Sequence, residues 1–125
     1  MEDINNAFVQ RLSEGVSRVS GCILAGIVGM DGITIAEFKD DVNFDSAISA
    51  AELASVVADS RRCFEDLKEK ELEECIVRSN ELTFVIRLVN PDFFIYLALK
   101  GENQNLGLAR FEAKKISEEF KTQLA

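Results

Sequence analysis

Between residues 4 and 19 the apolar side chains recur at Ile4, Phe8, Leu12, Val16 and Val19, spacings of four and three that gather them on one face of a helix. Ser20-Gly21 closes that helix. The period then changes. CILAGIV (22–28) and ITIAEF (33–38) read as strands around Met30-Asp31-Gly32. A second helical pattern runs from Asp45 to Leu67, with Asp45 or Asn43 placed to cap its start. LEECIVRS (72–79), LTFVIRLV (82–89) and FFIYLALK (93–100) are rich in β-branched and aromatic residues. Asn80-Glu81 and Asn90-Pro91-Asp92 separate them, breaks far too short for the crossover of about a dozen residues that a parallel pair needs, so the three form an antiparallel meander. A last helix over 105–124 carries Leu106, Ala109, Ala113, Ile116, Phe120 and Leu124 on one face. The predicted order is αββαβββα.

An antiparallel sheet with one wet face alternates apolar and polar residues, yet CILAGIV, LTFVIRLV and FFIYLAL are apolar at almost every position. Both faces of the sheet are therefore covered. Three helices suffice if the first and last take one face and the middle helix the other. The expected fold class is α/β of the α+β kind, a three-layer sandwich around a five-stranded antiparallel sheet. Residues 1–125 read as one domain, because the chain is the size of a single core and its one Pro, seven Gly and lack of low-complexity tracts leave no linker.

Turned at about 100° per residue, the middle helix sorts into three stripes. Leu53, Val56, Val57, Phe64 and Leu67 are large and apolar and suit the sheet; Ala47, Ala50, Ala51, Ala54 and Ala58 are small; Glu52, Ser55, Asp59 and Arg62 are polar. Small residues let a second helix backbone approach closely, so the alanine stripe predicts a homodimer that Ala54→Glu should disrupt. Alanine is also the best helix former, which is the competing reason for the stripe. Glu73, Glu74 and Arg78 make LEECIVRS the most polar of the five strands and mark it as a sheet edge, protected by charge or by pairing with its symmetry mate. The stripe of Arg110, Lys114 and Lys121 on the last helix reads as a solvated face.

Charge and composition narrow the function. A net charge of −8 repels a phosphodiester backbone, so no nucleic-acid partner is expected. The chain has no His, the usual general base near neutral pH and the commonest transition-metal ligand. Cys22, Cys63 and Cys75 are odd in number and lack C-x-x-C spacing, which points to reduced thiols rather than a disulfide or metal site. The opening MEDINNAF is not a leader, and no apolar run reaches the roughly 18 residues of a membrane span, so the expected location is the cytoplasm.

The glycines of GIVGMDGITIAEF (26–38) fall at every third position and invite comparison with a phosphate cradle. A Walker loop needs a lysine after its last glycine and a helix beyond it, whereas Gly32 leads into Ile33-Thr34 and a strand. Asp31-Gly32 between apolar runs is instead a hairpin signal, since a tight turn wants residues that tolerate positive φ. Gly26, inside the first strand, marks a bulge or close packing. No Ser or Cys has a histidine to activate it, and the carboxylates of EDLKEKELEE (65–74) read as a solvated surface. No catalytic, cofactor-binding or metal-binding residue is assigned, and the chain is not expected to be an enzyme or to carry a cofactor.

The element order, the strand that closes on Asp31-Gly32 and reopens as Ile33 to Ala36, the Ala-rich middle helix, ECIVR (74–78) and NLGLARFEAKKI (105–116) together resemble the Roadblock/dynein light chain family, in particular its prokaryotic MglB-like members. The resemblance implies a homodimer in which middle helices pack together and third strands join two sheets, which would place Glu74, Ile76 and Arg78 beside the alanines in the interface. It also implies a small Ras-like GTPase as partner, held or activated by a regulatory or scaffolding protein in motility or polarity signalling. An activating protein inserts an arginine or remodels the partner's switch loops. Arg61, Arg62, Arg78, Arg87 and Arg110 qualify by residue type. The alternative is a sensory domain that holds a small ligand in the PAS or GAF manner, which needs a cavity.

Overall fold

The computed structural model describes residues 2–124, and the side chains of residues 5–124. Its elements follow the expected order: α1 (Glu2–Arg18), β1 (Cys22–Gly29), β2 (Thr34–Lys39), α2 (Ser46–Asp66), β3 (Glu74–Arg78), β4 (Leu82–Asn90), β5 (Phe93–Lys100) and α3 (Leu106–Lys121). Every neighbouring pair in the sheet is antiparallel, in the order β2-β1-β5-β4-β3. The sheet starts with β1, one strand in from an edge, steps to that edge with β2, crosses to the other edge through α2, and walks back through β4 to the central β5, which meets β1. Twenty-one residues make α2 about 31 Å long. The outer strands of a five-stranded sheet lie about 19 Å apart, so one helix is enough for that crossing.

β5 shows why its sequence is apolar throughout. Ile95, Leu97 and Leu99 point into a core completed by Phe8, Leu12, Val16, Ala113, Ile116 and Phe120, from α1 and α3. Phe94, Tyr96 and Ala98 point the other way, into a core completed by Ala50, Leu53, Ala54 and Val57 of α2. The three-layer expectation holds, with α1 and α3 on one face and α2 on the other. Ile4, counted on the apolar face of α1, has a side chain outside the described residues.

The helix caps follow local chemistry. Of the two candidates for α2, Asp45 is the cap, its Oδ1 accepting the Ile48 amide at 3.1 Å, and Asn105 does the same for the Leu108 amide of α3. Between α1 and α3 lies an ionic cluster that no periodicity reveals. Arg11 donates through Nε to Glu119 at 2.6 Å and through Nη2 to Glu112 at 3.3 Å, while Arg18 Nη1 reaches Glu112 at 3.7 Å. Burial works against the Arg11 charge, but the hydrogen bonds and charges of Glu119 and Glu112 outweigh it and hold the pKa above the ordinary arginine value.

The β1–β2 connection differs from the two-residue turn that Asp31-Gly32 suggested. It spans Met30 to Ile33, with a bulge in β1 between Ile27 and Val28. Gly32 alone of its residues takes a positive φ, +85°. Asp31 contributes its side chain instead, Oδ1 accepting the Ile33 amide at 3.1 Å. The expectation for Gly26 is met as close packing: a Cβ there would lie 3.2 Å from Cε1 of Tyr96.

Candidate protein-interaction edge

β3 is an edge of the sheet, as its charges suggested. Its backbone hydrogen bonds show which groups it leaves free. The Leu88 amide donates to the Glu73 carbonyl at 3.1 Å, and the Ser79 amide donates to the Leu82 carbonyl at 2.8 Å. Bonded and non-bonded pairs alternate along an antiparallel ladder, so Cys75–Ile86 and Val77–Phe84 are bonded pairs as well. Glu74, Ile76 and Arg78 therefore aim their N–H and C=O groups away from β4. Ile76 is 42% exposed and Val77 38%, one on each face of the strand.

On α2 the alanines divide. Ala50 and Ala54 are buried, Ala50 completely, while Ala47, Ala51 and Ala58 are exposed. The small residues already have a neighbour within the chain. A Cβ on Gly32 would lie 3.3 Å from Cα of Ala51 and 3.8 Å from Cβ of Ala54, so the β1–β2 hairpin tip packs against this part of the helix. The stripe expected on the sheet is also shorter than its sequence suggested. Leu53 and Val57 are buried, Val56 is half-buried, and Phe64 and Leu67 are 40% and 63% exposed. Phe64 borders an open groove of about 770 Å³ together with Leu72, Leu88, Pro91 and Lys121.

At the hairpin tip three amides are already donating within the chain, Gly29 to the Ile33 carbonyl at 3.0 Å, Gly32 to the Gly29 carbonyl at 2.8 Å and Ile33 to Asp31. A polar cluster next to it escaped the sequence reading. Ser46 Oγ donates to Glu37 Oε1 at 3.0 Å, Ser49 Oγ and the Tyr96 hydroxyl share a bond of 2.9 Å, and Glu37 Oε2 is buried without a partner among the described residues. Burial pushes the Tyr96 phenol up to about 12, with the charge of Glu37 adding to the rise and the bond to Ser49 opposing it. The legible signal was Ser46 and Ser49 on the same side of α2 as Leu53.

No family model matches the sequence, and no curated protein does. Solved structures do match. Myxococcus xanthus MglB superposes with a TM-score of 0.79 at 18% identity, over 98% of this chain and 94% of that one. A Roadblock/LC7 domain from Streptomyces avermitilis gives 0.82 at 13% identity, over 92% and 95%. The fold is Roadblock-like. MglC from Myxococcus xanthus adds a TM-score of 0.65 at 28% identity, over 91% and 96%.

Within this Roadblock-like fold the five candidate arginines are not equivalent. Arg61 donates to the Pro91 carbonyl at 2.9 Å, Arg62 pairs with Asp59 at 2.7 Å, and Arg87 lies 3.7 Å from Glu73. Arg110 grips Glu74 with two hydrogen bonds, at 2.8 and 2.9 Å, which hold the carboxyl of Glu74 below its ordinary pKa. Among the described residues Arg78 alone of the five has no such partner and is exposed.

All three cysteines are free thiols, with Cys63 exposed, Cys75 half-buried and Cys22 buried. Burial pushes the Cys22 thiol up to about 11. Burial also raises Cys75, opposed by the hydroxyl of Ser60 and reinforced by the charge of Glu74. With N-ethylmaleimide at pH 8, Cys63 should be labelled first, Cys75 later and Cys22 only on unfolding, since a thiol of pKa about 11 is about 0.1% thiolate there. Peptide mass spectrometry over a time course reads the order, and early labelling of Cys22 would contradict it.

Proposed function

We propose that residues 1–125 form a single Roadblock-like domain that works as a non-catalytic homodimer and binds a small Ras-like GTPase, as a regulator or scaffold in the cytoplasm. The observation that carries this reading is the free edge of β3, with exposed Ile76 and Val77, on the fold shared with MglB. An edge strand with open backbone groups on a small acidic chain is suited to meeting other proteins. In the interface, Glu74, Ile76 and Arg78 supply the strand side, and Ala47, Ala51 and Ala58 supply the accessible helix side. Among the described residues no helix is long and apolar enough to cross a membrane.

The GTPase partner follows from the family resemblance and fits the chemistry at hand. Four of the five candidate arginines are held by partners in their own chain. With Arg78 assigned to the dimer interface, regulation acts by gripping or reshaping the partner's switch loops rather than by an arginine inserted from this chain. The test is titration of the Ras-like GTPases of the source genome, loaded with GDP or a non-hydrolysable GTP analogue, followed by a hydrolysis assay. The expected result is tighter binding to one nucleotide state. Binding without faster hydrolysis assigns a scaffold, and equal lack of binding in both states across all of them overturns the GTPase reading.

A further inference from the structure

Phe64 stands exposed near the end of α2, on the rim of the open groove of about 770 Å³. The last turns of α2 and α3, the α2–β3 loop and the end of β4 line it, with Leu72, Leu88, Val89 and Pro91 as the rest of its apolar lining. That volume is in the range of a binding cleft, and an apolar concavity with an exposed aromatic at its rim marks a contact site. Charge says what the groove admits. Residues 65–74 carry six carboxylates against two lysines. The last turn of α2, whose free carbonyls favour a cation, holds no basic residue and ends on Glu65-Asp66. Among the described residues Glu65, Glu69, Glu71 and Glu118 line the groove without an ion-pair partner. Arg61 and Arg87 are taken up by the Pro91 carbonyl and Glu73, which leaves Lys70 and Lys121 as the other cations of the lining. The backbone around the groove is already bonded: the Leu67, Lys68 and Glu69 amides donate to the carbonyls of Cys63, Glu65 and Phe64, and the Leu88 amide to that of Glu73. An extended segment would find these donors taken, so the fitting occupant bonds its own backbone, as a helix does.

We propose that this groove docks a basic amphipathic helix of a partner protein, its apolar side chains on Phe64, Leu72 and Leu88 and its lysines or arginines against Glu65, Glu69 and Glu71. Apolar residues at i, i+4 and i+7 with basic residues beside them give a helix that chemistry. A second copy of this chain is the poorer occupant, because it carries a net charge of −8 and would bring like charge to an acidic rim. The groove shares no residue with the contacts assigned above to the homodimer, so its occupation does not depend on that reading or on the GTPase. Glu69 and Glu71 are exposed and without ion pairs among the described residues, so they serve the site without serving the fold.

Titration of the ¹⁵N-labelled full chain with a synthetic helix, leucine on one face and lysine on the other, reads the site by amide chemical shifts at low ionic strength. The expected result is saturable shifts concentrated at residues 64–73, 87–91 and 117–121, and none with the counterpart that carries glutamate for lysine. Phe64→Ser should weaken binding at least about tenfold, as the loss of an aromatic anchor does. Glu69→Lys with Glu71→Lys should weaken it at least about fivefold, since two rim charges are reversed. Urea denaturation checks that both variants fold, and the charge reversal, at exposed positions, reads the site even if Phe64→Ser does not fold. Shifts centred elsewhere, equal binding of the glutamate counterpart, absence of binding at millimolar peptide, or binding that survives the charge reversal overturns the proposal. A folded Phe64→Ser chain that self-associates less than the parent in sedimentation velocity, with no peptide present, assigns the groove to a second copy and overturns it too.

Discussion

Arg11→Met should lower the unfolding free energy by about 3 kcal/mol, the low end of what removing one partner of a buried ion pair costs. Glu112 has 4% of its side chain exposed, and without Arg11 it keeps, among the described residues, only Arg18, at 3.7 Å and half in solvent. The carboxylate is then dehydrated and poorly compensated, which is where the penalty arises. Arg11→Met with Glu112→Leu should recover most of the loss, because the pair is then replaced by apolar groups of similar volume rather than broken. Urea denaturation at one fixed protein concentration measures both, the fixed concentration being needed for any self-associating chain. A single substitution costing under about 1 kcal/mol, or a double as unstable as the single, would show that the cluster does not hold α1 on α3.

Ala54→Glu and Ala58→Glu should behave differently although they lie four residues apart on one helix. Ala54 is 6% exposed and lies under the hairpin tip at Gly32. A glutamate there forces extra volume and an unpaired charge into a packed site, at a cost of about 3 kcal/mol or more. The fold itself suffers, so this substitution cannot report on self-association, contrary to the use that the bare alanine stripe suggested for it. Ala58 is exposed, and Ala58→Glu should leave the monomer's stability within about 0.5 kcal/mol. In the proposed dimer it should weaken association by at least about tenfold, since an unpaired charge buried at an interface costs upward of about 2 kcal/mol. Denaturation together with sedimentation separates the two effects, and an Ala58→Glu chain that associates like the parent would remove α2 from the interface.

The fold was legible where a short-range period reports a long-range fact. β1, β4 and β5 read as doubly covered because residues two apart share a face and both sets were apolar, and burial on both sides of β5 follows from that alone. The meander was legible because Asn80-Glu81 and Asn90-Pro91-Asp92 leave no length for anything else. The strand order was not: nothing in residues 22–28 says that β1 will lie beside β5, because that neighbour is chosen by which surfaces remain after α2 has crossed the sheet. The interaction surface divides the same way. The outward-facing backbone groups of β3 belong to Glu74, Ile76 and Arg78, and on α2 Ala50 and Ala54 are buried within the chain while Ala47, Ala51 and Ala58 stay at the surface, a division that the alanine spacing alone does not make.

Two further features went unread in the sequence, the Arg11 cluster, which has no signal there, and the polar group around Glu37, whose only signal was Ser46 and Ser49 on the sheet-facing side of α2. Each joins residues far apart in the chain through geometry that depends on side chains meeting across packed elements. By itself the sequence determined which segments are helices and strands, that both faces of the sheet are buried, and which strand is a guarded edge, since all of these depend on spacing within one segment. The tertiary structure decided the order of the strands, which alanines remain at the surface and which backbone groups of β3 point outward. Those depend on contacts between segments, and hydrophobic periodicity specifies that a face is buried without specifying what buries it.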